Sequence, residues 1–181
     1  LQTLYTLGAS EITGLDDENL EIVGGSSAAQ ANAVALLTSG VVTATLQPGT
    51  VAELNAALTE TSENAWTLSF TDTSASLADL NGLNGKTSVD LPGGFIMSVS
   101  GTPAELSDLL DGQATLSAAP GVPGISQAAT ITLTGVVTAA QANAAADATL
   151  GVVTATIAPG EAATINAALG TIGGLDALTI T

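Results

Sequence analysis

Two hydrophobic periods alternate along this chain. Short segments such as Val41-Val-Thr-Ala-Thr-Leu46 alternate apolar and polar residues with the period of a β-strand. Between them, apolar residues recur at the three- and four-residue spacing of a helix, as in Leu106, Leu109 and Leu110. One strand and one helix together take roughly 20 to 25 residues, the length of a solenoid unit. The pattern therefore predicts a chain of repeated strand–helix units.

The predicted strands are short, rich in β-branched residues and bounded by turn residues. They cover residues 20–23, 41–46, 66–71, 95–100, 130–134, 152–157 and 178–181, with less regular candidates at 87–91 and 113–117. A loop rich in proline and glycine, residues 120–124, interrupts the rhythm.

The helices are predicted from their first residues. A Ser or Thr followed three residues later by Glu or Gln forms a capping box, in which two side chains satisfy two backbone N–H groups at the helix start. Four such pairs occur: Ser27 with Gln30, Thr50 with Glu53, Thr102 with Glu105, and Thr138 with Gln141. Two further helices are expected to begin near Ser74 and Gly160, which lack this pairing.

The order of these elements sets the expected topology. No Asn-Gly or similar hairpin signal joins adjacent strands, and a helix separates most of them, so parallel pairing through right-handed crossovers is expected. The fold class is therefore predicted as α/β, a right-handed α/β solenoid of strand–helix repeats with one parallel sheet covered by helices on one face.

A longer repeat links two distant parts of the chain. Ser27-Ala-Ala-Gln-Ala-Asn-Ala33 returns as Thr138-Ala-Ala-Gln-Ala-Asn-Ala144, and residues 40–49 return as 151–160, both at an offset of 111 residues. Repetition at a fixed spacing is typical of stacked architectures. We interpret residues 1–26 as an N-terminal cap or linker plus the first strand, 27–137 as a first long repeat, and 138–181 as the truncated start of a second.

Charge excludes several classes of partner. The 181 residues carry 17 acidic side chains and one basic side chain, Lys86, for a net charge of −16. Nucleic acids and anionic lipids are bound by Lys and Arg clusters, which this sequence lacks, so we expect no nucleic-acid partner. No apolar run reaches the length of a membrane span, so direct membrane insertion is not expected. The apolar fraction of 46% is that of a folded protein.

The missing residue types also argue against an enzyme. Without His or Cys there is no Ser-His-Asp or Cys-His nucleophile and no thiolate zinc site. With no Arg, and with Lys86 outside any phosphate-loop motif, there is no phosphate cradle. The paired acids Asp108 and Asp111 lie one helical turn apart with no aromatic residue beside them to hold a sugar.

Calcium binding is the better hypothesis for the carboxylates of this sequence. Hard cations take several oxygen ligands, and Asp16, Asp17 and Glu18 form the densest acidic cluster of the chain. These three residues are the candidate calcium ligands. A solvated acidic turn before the first strand explains the same cluster, and both interpretations stay open.

Threonine marks one face of the predicted sheet. In strand 41–46 the pleat places Val42, Ala44 and Leu46 on one side and Thr43 and Thr45 on the other. Three interpretations of this hydroxyl face remain open: a solvated surface, a surface that packs against another copy, or an ice-binding surface.

Four phrases carry a resemblance to a known class. Ala28-Ala-Gln-Ala-Asn-Ala33, Gly151-Val-Val-Thr-Ala-Thr-Ile157, Ala78-Asp-Leu-Asn81 and Lys86-Thr-Ser-Val-Asp90 resemble repeat arrays of large secreted bacterial surface proteins, especially the hemolysin-like proteins of cyanobacteria. Similar phrases occur in phage structural proteins. The resemblance implies an extracellular or cell-surface location, export without an N-terminal signal, and calcium as the expected ligand of the class.

These observations predict an extracellular structural protein, without enzymatic activity, that associates with itself into a filament, fibre or surface layer. The alternative is a calcium- or carbohydrate-dependent adhesion module on a cell surface or phage fibre. In the alternative, a cell-surface polysaccharide is the candidate partner and calcium the candidate cofactor.

Overall fold

The structure, a computed structural model, describes residues 17–59, 64–92, 96–111, 125–170 and 176–181. In these residues the chain is a mixed α/β protein with eight strands and six helices, and every strand pair is parallel. It divides into two compact units. The first holds the described residues up to Thr71 together with Gly82–Leu91, and the second holds Asp72–Asn81 and the described residues from Pro92 onward.

The first unit contains a three-stranded sheet in the order β1-β2-β3. The strands are β1 (Leu20–Ser26), β2 (Val42–Leu46) and β3 (Ala65–Thr67). Helix α1 (Ala28–Ala35) connects β1 to β2, and helix α2 (Val51–Ala57) connects β2 to β3. Each strand therefore pairs with the next strand in sequence through a helical crossover.

The second unit contains a five-stranded sheet built by the same rule, in the order β4-β5-β6-β7-β8. Its strands are β4 (Ser74–Ser76), β5 (Ile96–Gly101), β6 (Ile125–Val137), β7 (Val153–Ile157) and β8 (Ala177–Ile180). The remaining helices are α3 (Leu77–Asn84), α4 (Pro103–Asp111), α5 (Ala139–Asp147) and α6 (Ala162–Ala168).

The predicted single sheet is therefore corrected to two sheets. Parallel neighbours need a crossover of about a dozen residues or more, but only the six residues 68–73 separate β3 from β4. The predicted strand 66–71 is correspondingly short, with one isolated parallel bridge between Phe70 and Gly49 beyond β3. The described residues form no strand at 87–91, and the candidates at 113–117 and the loop at 120–124 lie outside the described residues.

All four predicted capping boxes are present. At α1, for example, the Gln30 N–H donates to Ser27 Oγ at 3.2 Å, and the Ser27 N–H donates to Gln30 Oε1 at 2.9 Å. The same reciprocal bonds begin α2, α4 and α5. The helix predicted near Ser74 begins later, because Ser74 lies in β4 and the hydroxyl of Ser76 caps α3 by accepting from the Asp79 N–H at 3.0 Å.

One face of each sheet is apolar and packs under helices. In β2, Val42, Ala44 and Leu46 are buried whereas Thr43 and Thr45 are exposed. The helices contribute small and large aliphatic side chains to this contact: α5 buries Ala139, Ala142 and Ala145, whereas α3 buries leucines at 77, 80 and 83. These aliphatic side chains form most of the core of a chain in which aromatic residues make up only 2%.

Polar side chains join successive helices. An asparagine lies five residues after the cap in five of the six described helices, at Asn32, Asn55, Asn81, Asn143 and Asn166. The amide of Asn32 donates to Ala57 O at 2.6 Å, and that of Asn81 donates to Glu105 O at 2.7 Å. Each bond satisfies a carbonyl of the next helix in sequence.

The sequence repeat corresponds to a structural repeat. Residues of β1, α1, β2 and α2 have counterparts 111 positions later in β6, α5, β7 and α6. A bulge interrupts the register after Ile22 in β1 and after Thr132 in β6, and it contains Gly24 at φ +90° and Gly135 at φ +80°. Glycine adopts this left-handed conformation without the steric cost of a Cβ atom, which explains its presence in both copies.

A threonine closes the loop after α1 and the loop after its counterpart α5. Thr38 Oγ1 donates to Glu18 O at 2.6 Å and accepts from the Gly40 N–H at 2.9 Å. Thr149 makes the same bonds, with Ala129 O and the Gly151 N–H, at the same distances. These bonds hold each loop against the turn before the preceding strand, and the close approach requires glycine at positions 40 and 151.

We expect Gly40→Ala to destabilise the first unit by about 1–3 kcal/mol, because the new Cβ atom would lie 2.5 Å from Glu18 O and 2.7 Å from Asp17 O. The measurement is urea unfolding followed by the fluorescence of Trp66, the single tryptophan, which is buried in that unit. Gly25→Ala is the matched control, since its Cβ would meet no atom within 4 Å. Equal unfolding midpoints for both variants would contradict the close-approach argument.

We expect Ser26→Val to stabilise the first unit by about 1–2 kcal/mol. The Ser26 hydroxyl is buried without a hydrogen-bond partner in the described residues, and its repeat counterpart is the buried Val137. Both residues occupy the same register position, beside Leu46 and Ile157 respectively. Unfolding by the same fluorescence assay tests this, with Ser26→Ala separating loss of the hydroxyl from gain of apolar contact; a lower midpoint for both variants would overturn the expectation.

Candidate functional site

Two of the three predicted calcium ligands lie in the described residues, and the calcium site stays a prediction. Asp16 lies outside them, and the exposed Asp17 and Glu18 precede β1. The side chain of the neighbouring Asn19 has a structural role, because its Oδ1 accepts a hydrogen bond from the Val41 N–H at 2.8 Å. In the part of the chain that the structure describes, no three acidic, His or Cys residues lie close enough together to hold a metal ion.

The hydroxyl face of the five-stranded sheet is its most regular surface. Ser76, Ser100, Thr132 and Thr154 are successive register partners across four strands. A second row runs through Ser74, Ser98 and Thr130. Since parallel strands lie about 4.8 Å apart, each row is a line of hydroxyl groups at that spacing.

This surface carries no charged side chain at those seven positions, although the protein has a net charge of −16. The hydroxyls can donate and accept hydrogen bonds, and the threonine methyl groups give a mixed polar and apolar surface. Part of this capacity is already used, because Ser76 Oγ donates to Asp79 Oδ2 at 2.7 Å. The arrangement suits contact with a flat, hydrogen-bonding surface and provides no nucleophile, base or metal ligand.

The outer strands of the sheets are the second candidate surface. β1 ends the first sheet and β8 ends the second, and no described residue pairs with the outer side of either strand. An edge strand presents backbone N–H and C=O groups that can pair with another strand. Apolar side chains accompany both edges: Leu20, Ile22 and Leu178 are only partly buried, and Ile180 is 57% exposed.

The bulges are a feature that the strand prediction missed. The extra residues in β1 and β6 leave Val23 90% exposed and Val136 64% exposed, beside Gly24 and Gly135. Extending the 111-residue alignment back by three residues would have matched the two glycines, and a glycine inside a strand pattern is a signal for a bulge.

A shallow groove lies on the helical side of the second unit. It runs between α4 and α5 and is lined by Pro103, Leu106, Leu110, Gln141 and Ala144. Leu106 is buried and also packs in the core, whereas Gln141 and Ala144 are exposed. No charged side chain lines the groove, and its polar groups come from Ser107 and Gln141.

The carboxylate of Glu53, at the start of α2, has a shifted pKa. The pKa of Glu53 is lowered because its carboxylate accepts hydrogen bonds from the Thr50 backbone N–H and, secondly, from the Thr50 hydroxyl, at 3.1 and 2.9 Å. Both bonds favour the ionised form. Glu53 is therefore a structural acid that supports the start of α2.

No protein-family model, curated protein or solved structure matches this chain. The resemblance to secreted bacterial repeat proteins consequently stays a prediction. Within the described ranges, no helix combines the length and the apolar character needed to cross a membrane.

We expect Glu53→Gln to reduce the acid sensitivity of the first unit. Because the pKa of Glu53 is lower in the folded state, its stabilising effect is fully present above the ordinary Glu pKa of about 4.3 and is lost as the pH falls below that value, through the lower folded-state pKa. Glutamine keeps the cap, as Gln30 does at α1, but does not titrate.

Urea unfolding of both proteins between pH 7 and pH 3, followed by Trp66 fluorescence, gives the difference in stability at each pH. The variant should lose less stability than the parent on acidification. Parallel curves would show that the bonds to Thr50 do not couple to protonation of Glu53.

Proposed function

We propose that this chain is a segment of an extracellular structural protein that associates with itself into a filament, fibre or surface layer. One observation carries the proposal. Each strand in both sheets pairs in parallel with the next strand in sequence, through one helix, so each sheet grows by adding one strand–helix unit at a time. An outer strand of such a sheet can accept one more unit of the same kind.

The finer form of the proposed fold is a right-handed α/β solenoid. Parallel crossovers are right-handed in nearly all known cases. The 111-residue structural repeat and the asparagine bonds between successive helices support a stacked arrangement within each unit. A stacked repeat in whose described residues no metal-binding cluster occurs suits a structural role, and enzymatic activity is not proposed.

Of the two modes of self-association, strand-edge contact is favoured over contact through the hydroxyl face. Five strands at about 4.8 Å and three residues at about 3.3 Å give a face of roughly 240 Å². A stable interface buries about 800 Å² on each partner, more than this face or one short strand edge presents. The strand edge is favoured because its backbone N–H and C=O groups can add main-chain hydrogen bonds to the contact. The hydroxyl face remains available for lateral contact once strand edges have joined the copies.

The charge distribution sets the conditions for assembly. Copies with a net charge of −16 repel one another, and this repulsion is screened at higher ionic strength. We therefore expect assembly to increase with salt. The extracellular or cell-surface location belongs to the same proposal and is supported by the single basic residue, which leaves trypsin-like proteases one site of attack.

The proposal predicts concentration-dependent assembly of the purified chain. Light scattering should show a growing mean mass as protein concentration and salt increase. Electron microscopy, with and without a calcium chelator, should show fibres or layers with a spacing of about 4.8 Å along the direction of strand stacking. A monodisperse monomer across the full range of protein, salt and calcium concentrations would overturn it.

The alternative, a calcium- or carbohydrate-dependent adhesion module, stays a prediction. Titration calorimetry with calcium on the parent and on an Asp16→Asn, Asp17→Asn, Glu18→Gln triple variant tests the metal, and a glycan array tests the polysaccharide. Binding heat that the triple variant loses, or a specific glycan signal from a monomeric protein, would favour the alternative.

A further inference from the structure

We propose that the outer edge of β8 in one copy of this chain pairs in parallel with the outer edge of β1 in a second copy. This inference rests on the proposed self-association and names the two surfaces that meet. It comes from comparing the two copies of the internal repeat, which place equivalent strands in different surroundings.

Among the described residues, the outer side of β1 lacks the neighbouring strand that its repeat counterpart β6 has. Leu20 and Ile22 correspond to Ile131 and Leu133 of β6, which are 0% and 4% exposed. In β6 the strand β5 lies alongside, with Val99 beside Ile131 and Gly101 beside Leu133. β1 has no such neighbour in the described residues, and Leu20 and Ile22 remain partly exposed.

The comparison at β8 gives the complementary result. Leu178 pairs with Ala155 as Trp66 of β3 pairs with Ala44, so the two positions are equivalent. Trp66 is fully buried, and its backbone N–H and C=O both bond to the Thr87 hydroxyl, at 3.0 and 3.1 Å. Leu178 is partly exposed, and none of the described residues bonds to its outward N–H and C=O.

The backbone N–H and C=O groups that point outward from β8 can pair with those that point outward from β1. In β8 the Thr181 N–H donates to Ile157 O, so alternate residues Leu178 and Ile180 direct their backbone groups outward. In β1 the Leu20 N–H donates to Val41 O, so Glu21 directs its groups outward. In a parallel ladder Leu178 can then donate to Asn19 O and accept from the Glu21 N–H.

These hydrogen bonds define one register of β8 against β1, and in that register residues on the same side of the two sheets lie next to each other. Leu178 lies beside Leu20 and Ile180 beside Ile22, all four on the helix-covered side, and Thr179 lies beside Glu21 on the hydroxyl side. The pairing buries the apolar side chains that each edge leaves partly exposed. It joins two different surfaces, and such heterologous contacts produce rings or open filaments rather than closed two-fold dimers.

One feature of the contact opposes it. The same register places Asp176 beside Glu18 of the second copy, and like charges in direct opposition repel. Salt screens this repulsion, so the contact should strengthen as ionic strength rises.

Disulfide trapping between two single-cysteine variants tests the register. The chain contains no native cysteine, so each introduced thiol is unique. Register partners in a parallel pair lie about 4.8 Å apart, within the range that a disulfide spans. Glu21→Cys and Thr179→Cys proteins, both changed at exposed positions, are mixed at high salt in a glutathione redox buffer and separated on a non-reducing gel.

The mixture should give a disulfide-linked dimer, at least about tenfold more than either variant alone. The matched control is Glu21→Cys mixed with Thr154→Cys, because Thr154 is equally exposed but lies one strand in from the edge, beyond the roughly 7 Å limit for a disulfide. The control mixture should give only monomer bands on the non-reducing gel under the same conditions.

Light scattering on the same samples separates the two proposals. Assembly without a specific dimer in the Glu21 and Thr179 mixture, or with equal trapping in the control, would overturn the β8–β1 contact and leave self-association standing. A monodisperse monomer with no trapped dimer would overturn both. The Glu21→Ser and Thr179→Ser variants show by light scattering whether a substitution at either position weakens assembly. If it does, the amount of disulfide-linked dimer is divided by the fraction of protein that is assembled.

Discussion

Parallel strands cannot be joined by a tight turn, and most of the architecture follows from that constraint. Each strand must be followed by a crossover long enough to return to the same end of the sheet, and a capped helix of seven to nine residues meets this need. Because the helix also covers the apolar face of the strand, one unit provides both the pairing and the cover. Where the crossover is missing, between β3 and β4, the sheet ends.

Aliphatic side chains build the core of this chain, which has few aromatic residues. Threonine, asparagine and glycine hold the connections between its elements through hydrogen bonds and close backbone contacts. The asparagine bonds link α1 to α2 and α3 to α4, so part of the stability comes from contacts between neighbouring helices. Among the described residues, β1 and β8 lie at sheet edges with partly exposed apolar side chains, and these edges are the surfaces used in the proposed self-association.

The candidate surfaces follow from the same geometry. The helices cover one face of each sheet, so the serine and threonine hydroxyls of the other face line up in rows across parallel strands. In the acidic segment before β1, Asp17 and Glu18 are exposed, and the neighbouring Asn19 accepts a hydrogen bond from the Val41 N–H next to β2. The role of this segment in calcium binding remains a prediction.

The local elements can be predicted from the sequence, because the capping boxes at Ser27, Thr50, Thr102 and Thr138 and the inward and outward residues of β2 depend on residues near one another in the chain. The 111-residue repeat is found by comparing the sequence with itself. Three features are visible only in the folded chain: the division of the strands between two sheets, the bulges at Gly24 and Gly135, and the partial exposure of Leu20 and Leu178, whose counterparts are buried. These features depend on which strand lies alongside which. A local hydrophobic pattern encodes the face that a residue occupies, but not the neighbour that covers it.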